Sequence, residues 1–261
     1  MSQPIDEVRV SRDGALLEIA MNRPKTKNAL SVAMYAALKA ALDEAAADDS
    51  VLVVLLRGEG GNFTSGNDLK DFLENPPKGP ESTVFQFIST IAGFPKPIVA
   101  AVDGVAVGVG TTMLFHCDLV YAAENTRFSM PFTNLALVPE AASSFVLPRM
   151  LGHRRAAEVL YFGEMFDVGV ARELGLVNQA VPADQVLSVA RAQAGKLLEK
   201  SPTAIRKTKE LLRTHQWAAM KEHMDLEATT FASLLGTPEV NEAISAFFEK
   251  RKPDFAKLRK G

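Results

Sequence analysis

Hydrophobic and polar positions in the first part of the chain follow two different periods. Residues 5–11 and 15–21 alternate apolar with polar side chains on either side of Arg12-Asp13-Gly14, which is typical of a β-hairpin. An alanine-rich segment preceded by Ser31 predicts a capped helix ending near residue 47, and the apolar run 51–56 predicts a buried strand. The order β-β-α-β favours an α/β spiral of short sheets over a doubly wound sheet.

The rest of the chain shifts from mixed elements to helices. The pattern predicts helices at 81–93, 111–117, 142–151, 154–162 and 168–174, strands at 98–102, 119–122 and 177–181, and irregular chain over 127–140. From Pro182 onward nearly every segment is helical, with breaks at Ser201-Pro202 and at 236–238. This change predicts a core domain over 1–200 and a helical region over 201–261.

Composition narrows the class of protein without identifying a function. The 261 residues are 47% hydrophobic and 23% charged with a net charge of −2, so nothing electrostatic suggests a nucleic-acid partner. Cys117 is the single cysteine, so no intrachain disulfide can form. No apolar run reaches the roughly 18 residues of a membrane span, and the first ten residues lack the apolar core of a signal peptide. We therefore expect no membrane partner and a cytoplasmic location.

Two glycine-rich segments follow predicted strands. After the strand at 98–102, the sequence GVAVGVG carries Gly104, Gly108 and Gly110 and leads into a predicted helix; GEGGNFTSGNDL, residues 58–69, leads into another helix start at Asp68. A strand that turns on glycine into a helix leaves backbone N–H groups without partners. Two such groups at one point would form an oxyanion hole, whereas each alone is an ordinary tight turn. The spacing does not match a dinucleotide-binding fingerprint.

Five segments together resemble the crotonase (enoyl-CoA hydratase/isomerase) superfamily. They are NRPKTKNALS, NFTSGNDLKDF, KPIVAAVDGVAVGVG, HCDLVYAAENTRFSMP and EKRKPDF, in the order that the superfamily has them. The resemblance implies a β-β-α spiral core, a C-terminal helical trimerisation region, and assembly as a homotrimer or a dimer of trimers. It also implies an acyl-CoA substrate whose thioester oxygen is held by the backbone N–H groups of Asn67 and Val109.

The acid and base residues decide which reaction such a fold supports. Hydratases of the superfamily carry one glutamate two residues after the glycine loop and another just after the downstream proline; this chain has Thr112 and Phe132 there. A carboxylate occurs instead at Glu140, in LVPEAASSFVLPRMLG. That segment resembles Δ3,Δ2-enoyl-CoA isomerases of the peroxisomal type, in which a glutamate moves a proton between C2 and C4. The alternative for Glu140 alone is an acid that complements a helix N-terminus.

The resemblance predicts an isomerase of the Δ3,Δ2-enoyl-CoA type that needs no metal and no cofactor beyond the coenzyme A of its substrate. A hydratase, a dehalogenase, a thioesterase and a non-catalytic acyl-CoA-binding protein stay open as alternatives. Lys25 and Lys27, with Arg23 and residues 250–252, are candidates for the CoA phosphates, or else ordinary surface charges. The expected substrate-binding residues are Ser65, Gly66, Asp68, Leu69, Gly108, Gly110, Thr112, Phe132, Lys25 and Lys27, and the candidates for the wall of an acyl pocket are Phe85, Phe87 and Phe94.

Overall fold

The structure, a computed structural model, describes residues 7–258 and begins with a hairpin. Strands β1 (Val8–Asp13) and β2 (Leu16–Met21) pair antiparallel, with Val8 opposite Met21. The predicted hairpin is confirmed from residue 8 onward, and residues 5 and 6 lie outside the described part of the chain. Ser31 caps the next helix by accepting a hydrogen bond from the Met34 N–H, as its sequence position predicts.

The elements alternate between strands and short helices up to the C-terminal third. Most predicted elements are present with shifted ends, and three strands of two or three residues were not predicted because so short a run carries no readable period. The elements are α1 (Val32–Ala47), β3 (Val53–Gly58), α2 (Leu69–Glu74), α3 (Thr83–Gly93), β4 (Ile98–Val102), β5 (Val105–Val107), α4 (Val109–Thr112), β6 (Leu119–Ala123), β7 (Arg127–Ser129), α5 (Ser143–Leu151), α6 (His153–Phe162), β8 (Phe166–Asp167), α7 (Val168–Glu173), β9 (Gln179–Val181), α8 (Val186–Leu198), α9 (Pro202–Leu234), α10 (Pro238–Phe248) and α11 (Phe255–Leu258).

Two sheets organise the first 181 residues. Six strands form one sheet in the order β1-β2-β3-β4-β6-β9, parallel except for the first hairpin, so that each later strand is added at the same edge. A doubly wound sheet would instead reverse direction at a switch point. The strands β5, β7 and β8 form a separate three-stranded sheet. Irregular chain was predicted over 127–140, and this is wrong for 127–129, which form β7.

The second sheet brings the two glycine-rich segments together. After β4 the chain leaves the large sheet, and β5 then pairs with the segment that follows β3. The Phe63 N–H donates to the Asp103 carbonyl at 2.7 Å, the Thr64 N–H to Val105 at 3.0 Å, and the Val107 N–H to Thr64 at 3.1 Å. These backbone bonds fix the two strand exits side by side.

The C-terminal helices pack onto the apolar core rather than standing apart from it. Helix α9 begins at Pro202 and α10 at Pro238, which confirms both predicted breaks. Met224 and Phe231 of α9 belong to the same apolar cluster as the large sheet. The division of the chain at residue 200 remains a prediction. None of the helices within residues 7–258 has the length and apolar character needed to cross a membrane.

An ion pair between the buried Lys209 and the partly exposed Asp118 connects α9 to the sheet. The Lys209 ammonium lies 2.7 Å from the Asp118 carboxylate and donates to the Lys96 carbonyl at 2.6 Å. Asp118 also accepts the Ile98 N–H at the start of β4. Burial lowers the pKa of Lys209 to about 8, while the nearby Asp118 charge opposes that shift. Without its carboxylate, the lysine would be a buried charge with no counterion.

We expect Asp118→Asn to destabilise the fold by about 1–3 kcal/mol, because it leaves the buried Lys209 ammonium without its carboxylate partner at a site that water partly reaches. The matched control is Asp225→Asn, which breaks the more exposed Lys221–Asp225 pair on the same helix and should cost about 0.3–0.5 kcal/mol. Chemical denaturation of both variants measures the difference. Equal losses in the two variants would contradict the role assigned to Asp118.

Candidate active site

The two strand exits touch through their glycines. Gly66 has φ +87°, and a β-carbon there would lie 2.6 Å from the Val107 carbonyl oxygen, so only glycine fits. A β-carbon on Gly110 would lie 2.6 Å from the Thr64 side chain. Asn67 directly follows Gly66, and Val109 lies between Gly108 and Gly110. The structure therefore brings together the two peptide groups that the sequence singled out.

Both of these peptide groups have unused N–H donors. Leu30 forms hydrogen bonds on both sides of Asn67: its N–H donates to the Gly66 carbonyl, and its carbonyl accepts the Asp68 N–H. The Asn67 N–H takes no part in this bridge. Val109 is the first residue of α4, whose first turn has no internal acceptors. Within residues 7–258, neither the Asn67 nor the Val109 N–H donates a hydrogen bond. Paired free donors of this kind can stabilise a developing oxyanion.

The side chain of Asn67 has a distant partner that the sequence did not reveal. The Tyr35 hydroxyl, from α1 and 32 residues away, donates to Asn67 Oδ1. Burial and the nearby charge of Glu140 raise the pKa of Tyr35 well above its usual value, which keeps the hydroxyl a donor. Tyr35 therefore lies near both Asn67 and Glu140.

Glu140 is a buried carboxyl on a turn, not part of a helix. Glu140 is 3% exposed. The next two residues, Ala141 and Ala142, adopt the left-handed backbone conformation, with φ of 59° and 56°. Helix α5 begins only at Ser143, and its first turn contains no acidic residue. The alternative interpretation of Glu140 as a helix-start acid therefore does not apply.

Thr112 and Phe132, which occupy the positions of the two hydratase glutamates, have different surroundings. The Thr112 hydroxyl, one turn after Val109, donates to Glu140 Oε1, so the threonine orients the carboxylate. Phe132 is 7% exposed and belongs to the apolar cluster. Neither side chain can activate water as a carboxylate does.

Burial sets the acidity of Glu140. It raises the pKa of this carboxyl to about 8; the Thr112 hydrogen bond opposes the shift, and the negative Glu227 adds to it. A carboxyl whose pKa lies near neutral pH can accept a proton in one step and return it in the next.

Serine and basic residues border the Gly66 exit. The Ser65 N–H donates to the Lys27 carbonyl at 2.9 Å, and its hydroxyl donates to the Thr26 carbonyl at 3.0 Å. These bonds fix the basic loop beside the exit, and the residues Lys25 and Lys27 are exposed. Arg23 is instead engaged in ion pairs with Glu7 and Asp68.

Asp68 and Leu69 start helix α2. The Asp68 carboxylate accepts hydrogen bonds from the Lys70 and Asp71 N–H groups at 3.2 and 3.4 Å and pairs with Arg23 at 3.0 Å. It therefore serves as a helix cap. Leu69, the first helical residue, is half-buried. The substrate-binding roles predicted for these two residues remain predictions.

An open groove of about 650 Å³ lies between α1, α3 and α9 and reaches Ala141, the residue after Glu140. Two of the three aromatic candidates for an acyl pocket, Phe85 and Phe94, line it. Phe87 lies in the core and packs against Tyr35, with ring centroids 5.5 Å apart.

Glu227 of α9 is, after Tyr35, a second residue of this region that the sequence did not single out. Its carboxylate accepts hydrogen bonds from the N–H groups of Ala142, at 2.6 Å, and Ser144, at 3.0 Å. It lies 83 residues after Ser144, so no local motif links them. Position 227 lies at helical spacing from Met224, Ala228 and Phe231, on the buried face of α9. This spacing is the one sequence feature that could have indicated a buried acid at this position.

The described residues contain no cluster of three or more histidine, cysteine, aspartate or glutamate side chains that could hold a metal ion. His116 is buried, and burial lowers its pKa to about 4, so its neutral ring donates through Nε2 to the Ala141 carbonyl at 2.8 Å. This bond connects His116 to the turn that carries Glu140.

The site combines two free backbone donors with a buried, hydrogen-bonded carboxyl. This combination is typical of enzymes that stabilise an oxyanion next to a proton-transfer group. A family model described as enoyl-CoA hydratase/isomerase matches residues 11–258. The chain belongs to this family, which is the crotonase superfamily of the sequence resemblance, and it is an acyl-CoA enzyme. The predicted crotonase fold class is thereby confirmed.

Similar proteins carry names of both activities. The chain is 34% identical to a 2,3-dehydroadipyl-CoA hydratase of Escherichia coli, covering 96% of this chain and 99% of that protein. It is also 34% identical to enoyl-CoA delta isomerase 2 of Rattus norvegicus, covering 94% of this chain but only 64% of the rat protein. The solved structure of Pseudomonas aeruginosa OdaA superposes with a TM-score of 0.91 at 45% identity, covering 93% of this chain and 99% of that one.

We expect Thr112→Val to raise the pKa of Glu140 above about 8, because it removes a donor that stabilises the ionised carboxylate. Titration of the 13C-labelled carboxyl by NMR measures the shift, with Glu140→Gln identifying the signal. Thr112→Ser, which keeps the hydroxyl, is the control and should titrate like the wild type. An unchanged titration in the valine variant would show that the hydrogen bond does not set the acidity.

Proposed function

We propose that this protein is an enoyl-CoA isomerase that moves a double bond from C3 to C2 by proton transfer through Glu140. The observation that supports this most strongly is a single buried carboxyl, Glu140, which accepts a hydrogen bond from Thr112. Thr112 itself occupies a position where hydratases of the superfamily carry a glutamate. A hydratase needs groups that activate water, and Phe132 presents none. An isomerase needs a base that becomes an acid, and one carboxyl suffices.

The proposed reaction conserves protons overall. Ionised Glu140 takes a proton from C2 of the 3-enoyl thioester, and the electron pair of that C–H bond moves into the conjugated system, leaving a dienolate. Its oxygen accepts hydrogen bonds from the Asn67 and Val109 N–H groups. Protonated Glu140 then delivers the proton to C4, the double bond forms between C2 and C3, and the thioester carbonyl is restored. The carboxylate is regenerated without a cofactor.

Each binding region has an assigned part in this proposal. The groove at Ala141 receives the acyl chain, because it reaches the residue after Glu140 and its lining includes Phe85 and Phe94 among charged and polar side chains. Lys25 and Lys27 contact the CoA phosphates beside the Gly66 exit. Free donors in a water-poor site can each stabilise a transition state by roughly 3–4 kcal/mol.

Hydration is the second candidate, since the Escherichia coli relative of similar identity is named a hydratase. The two activities separate in one experiment. The purified protein is given a 3-enoyl-CoA, and formation of the conjugated 2-enoyl product is followed by its ultraviolet absorbance; a second sample receives crotonyl-CoA. We expect isomerisation of the first and negligible hydration of the second. Ready formation of 3-hydroxybutyryl-CoA without isomerisation would contradict the proposal.

We expect Glu140→Gln to lower the isomerase kcat by about 10²–10⁴-fold or more, because glutamine keeps the shape but cannot carry the proton. KM should change little, since the backbone donors and CoA contacts remain. The fold should be retained.

The raised pKa of Glu140 contributes stability below about pH 4.5 that is lost as the pH rises through about 8. The variant should therefore gain stability over the wild type at high pH, which thermal melts at pH 5 and 9 measure. An isomerase kcat of Glu140→Gln equal to that of the wild type would contradict the assignment of Glu140 as the proton-transfer group.

We also propose that the chain assembles as a trimer or a dimer of trimers. Leu211 and Leu212 of α9 are 73% and 80% exposed, and adjacent exposed leucines are typical of interfaces. Light scattering should give three or six times the mass of the chain, and Leu211→Ser combined with Leu212→Ser should shift the assembly towards smaller species. A monomer at micromolar concentration would contradict this proposal.

A further inference from the structure

The turn that carries Glu140 has a backbone conformation that needs support. Ala141 and Ala142 both have positive φ, a region that alanine adopts rarely and that two consecutive residues adopt at greater cost. Such a turn persists only where surrounding contacts determine it. If it relaxed, Glu140 would move relative to the Asn67 and Val109 N–H groups.

Glu227 supplies the charged part of this support. Its Oε2 accepts the Ala142 N–H at 2.6 Å, and its Oε1 accepts the Ser144 N–H at 3.0 Å and the Ser144 hydroxyl. These two N–H groups lie at the start of α5, where the helix itself provides no acceptor. Glu227 is 5% exposed and comes from α9, so its contacts span from the C-terminal helices to the catalytic turn.

The other contacts on the turn are made by neutral groups. His116 donates to the Ala141 carbonyl, and the Ser143 hydroxyl donates to the Glu140 carbonyl at 2.6 Å. Among the described residues, Glu227 is the charged side chain hydrogen-bonded to the backbone of residues 140–144. Glu227 accepts three hydrogen bonds from Ala142 and Ser144, more than any other side chain in the described part of the chain makes to this segment, so it is the main restraint.

The geometry of this cluster argues against a hydrolytic triad. Ser144 Oγ lies 2.8 Å from His223 Nε2, and Glu227 Oε1 lies 3.9 Å from that same nitrogen. A triad carboxylate binds the other ring nitrogen and orients the histidine for the serine. Here the serine hydroxyl and the carboxylate face one nitrogen, and the carboxylate is bound to backbone N–H groups.

We propose that Glu227 is the positioning residue of the proton-transfer carboxyl: its carboxylate fastens residues 142–144 and thereby fixes Glu140 beside the two free backbone donors. This inference rests on the proposed isomerase function of Glu140. It assigns a task in proton transfer to helix α9, which carries none of the motifs of the resemblance.

The charge of Glu227 has a second effect on the site. Glu227 faces Ser144 and His223 on one side and the Glu140 turn on the other, and Glu140 itself faces Thr112 and Tyr35. The negative charge of Glu227 raises the pKa of Glu140, in addition to the effect of burial. Its removal should therefore lower the pKa of Glu140 and make it a weaker base.

The test compares Glu227→Gln with Glu222→Gln, an exposed acid on the same helix. Glutamine keeps one acceptor oxygen, but its NH₂ group cannot accept the second backbone N–H. We expect kcat for 3-enoyl-CoA isomerisation to fall about tenfold or more with KM within about twofold. The acidic limb of the kcat–pH profile, where Glu140 becomes protonated, should shift to lower pH. Glu222→Gln should match the wild type in all three quantities.

A second readout needs no turnover. NMR titration of the 13C-labelled Glu140 carboxyl should give a lower pKa in Glu227→Gln than in the wild type. If the wild type does not isomerise 3-enoyl-CoA, the proposed function fails and this titration alone decides the positioning role. A Glu140 titration that superimposes on the wild type, or a kcat within about twofold of it, overturns the inference.

A variant that fails to fold would not block the test. Ala142→Gly removes the unfavourable left-handed alanine, and the double variant Glu227→Gln/Ala142→Gly should therefore fold more readily. Compared with Ala142→Gly alone, the double variant should show the same loss of kcat and the same lowered pKa of Glu140. Identical kcat and identical titration in these two variants would overturn the inference.

Discussion

The backbone pairing between the segment after β3 and strand β5 is the interaction on which the site depends. Thr64 exchanges two hydrogen bonds with residues 105 and 107, and this pairing places Gly66 against the Val107 carbonyl. The Gly66 N–H donates to the Thr64 hydroxyl, the Asp68 N–H to the Leu30 carbonyl, and the Gly108 N–H to the Ser129 carbonyl. Within residues 7–258 the Asn67 and Val109 N–H groups donate no hydrogen bond, and free donors are what an oxyanion requires.

A buried carboxyl completes the site and makes it depend on distant helices. Burial raises the pKa of Glu140 into the neutral range, and Thr112, one turn after Val109, orients it. The turn that carries Glu140 is strained, so it needs His116 and Glu227 to hold it. The same C-terminal helix that supplies Glu227 is anchored to the sheet by the Lys209–Asp118 pair. Stability of the helical region and geometry of the site are therefore physically connected.

Periodicity predicted the long elements well but missed three of the shortest strands. The hairpin, α1, α3, β4 and the breaks before α9 and α10 follow from alternation, capping and proline, which act over neighbouring residues. Strands β5, β7 and β8 have two or three residues each, and their pairing depends on partners elsewhere in the chain. The expected helix over 111–117 is α4, which begins earlier, followed by a short 3-10 turn, because Gly108 already provides the helix start.

The sequence by itself determined the family, the glycines at the two strand exits, and the residues that replace the hydratase glutamates, because these are features of residue type and local order. It singled out Glu140, Asn67 and Val109, whose roles remain proposals. Only the tertiary structure decided that the exits meet, that Tyr35 bonds to Asn67, that Thr112 bonds to Glu140, and that Glu227 bonds to the backbone just after Glu140. These contacts join residues far apart in the chain, and burial and charge proximity arise only when packing brings such residues together.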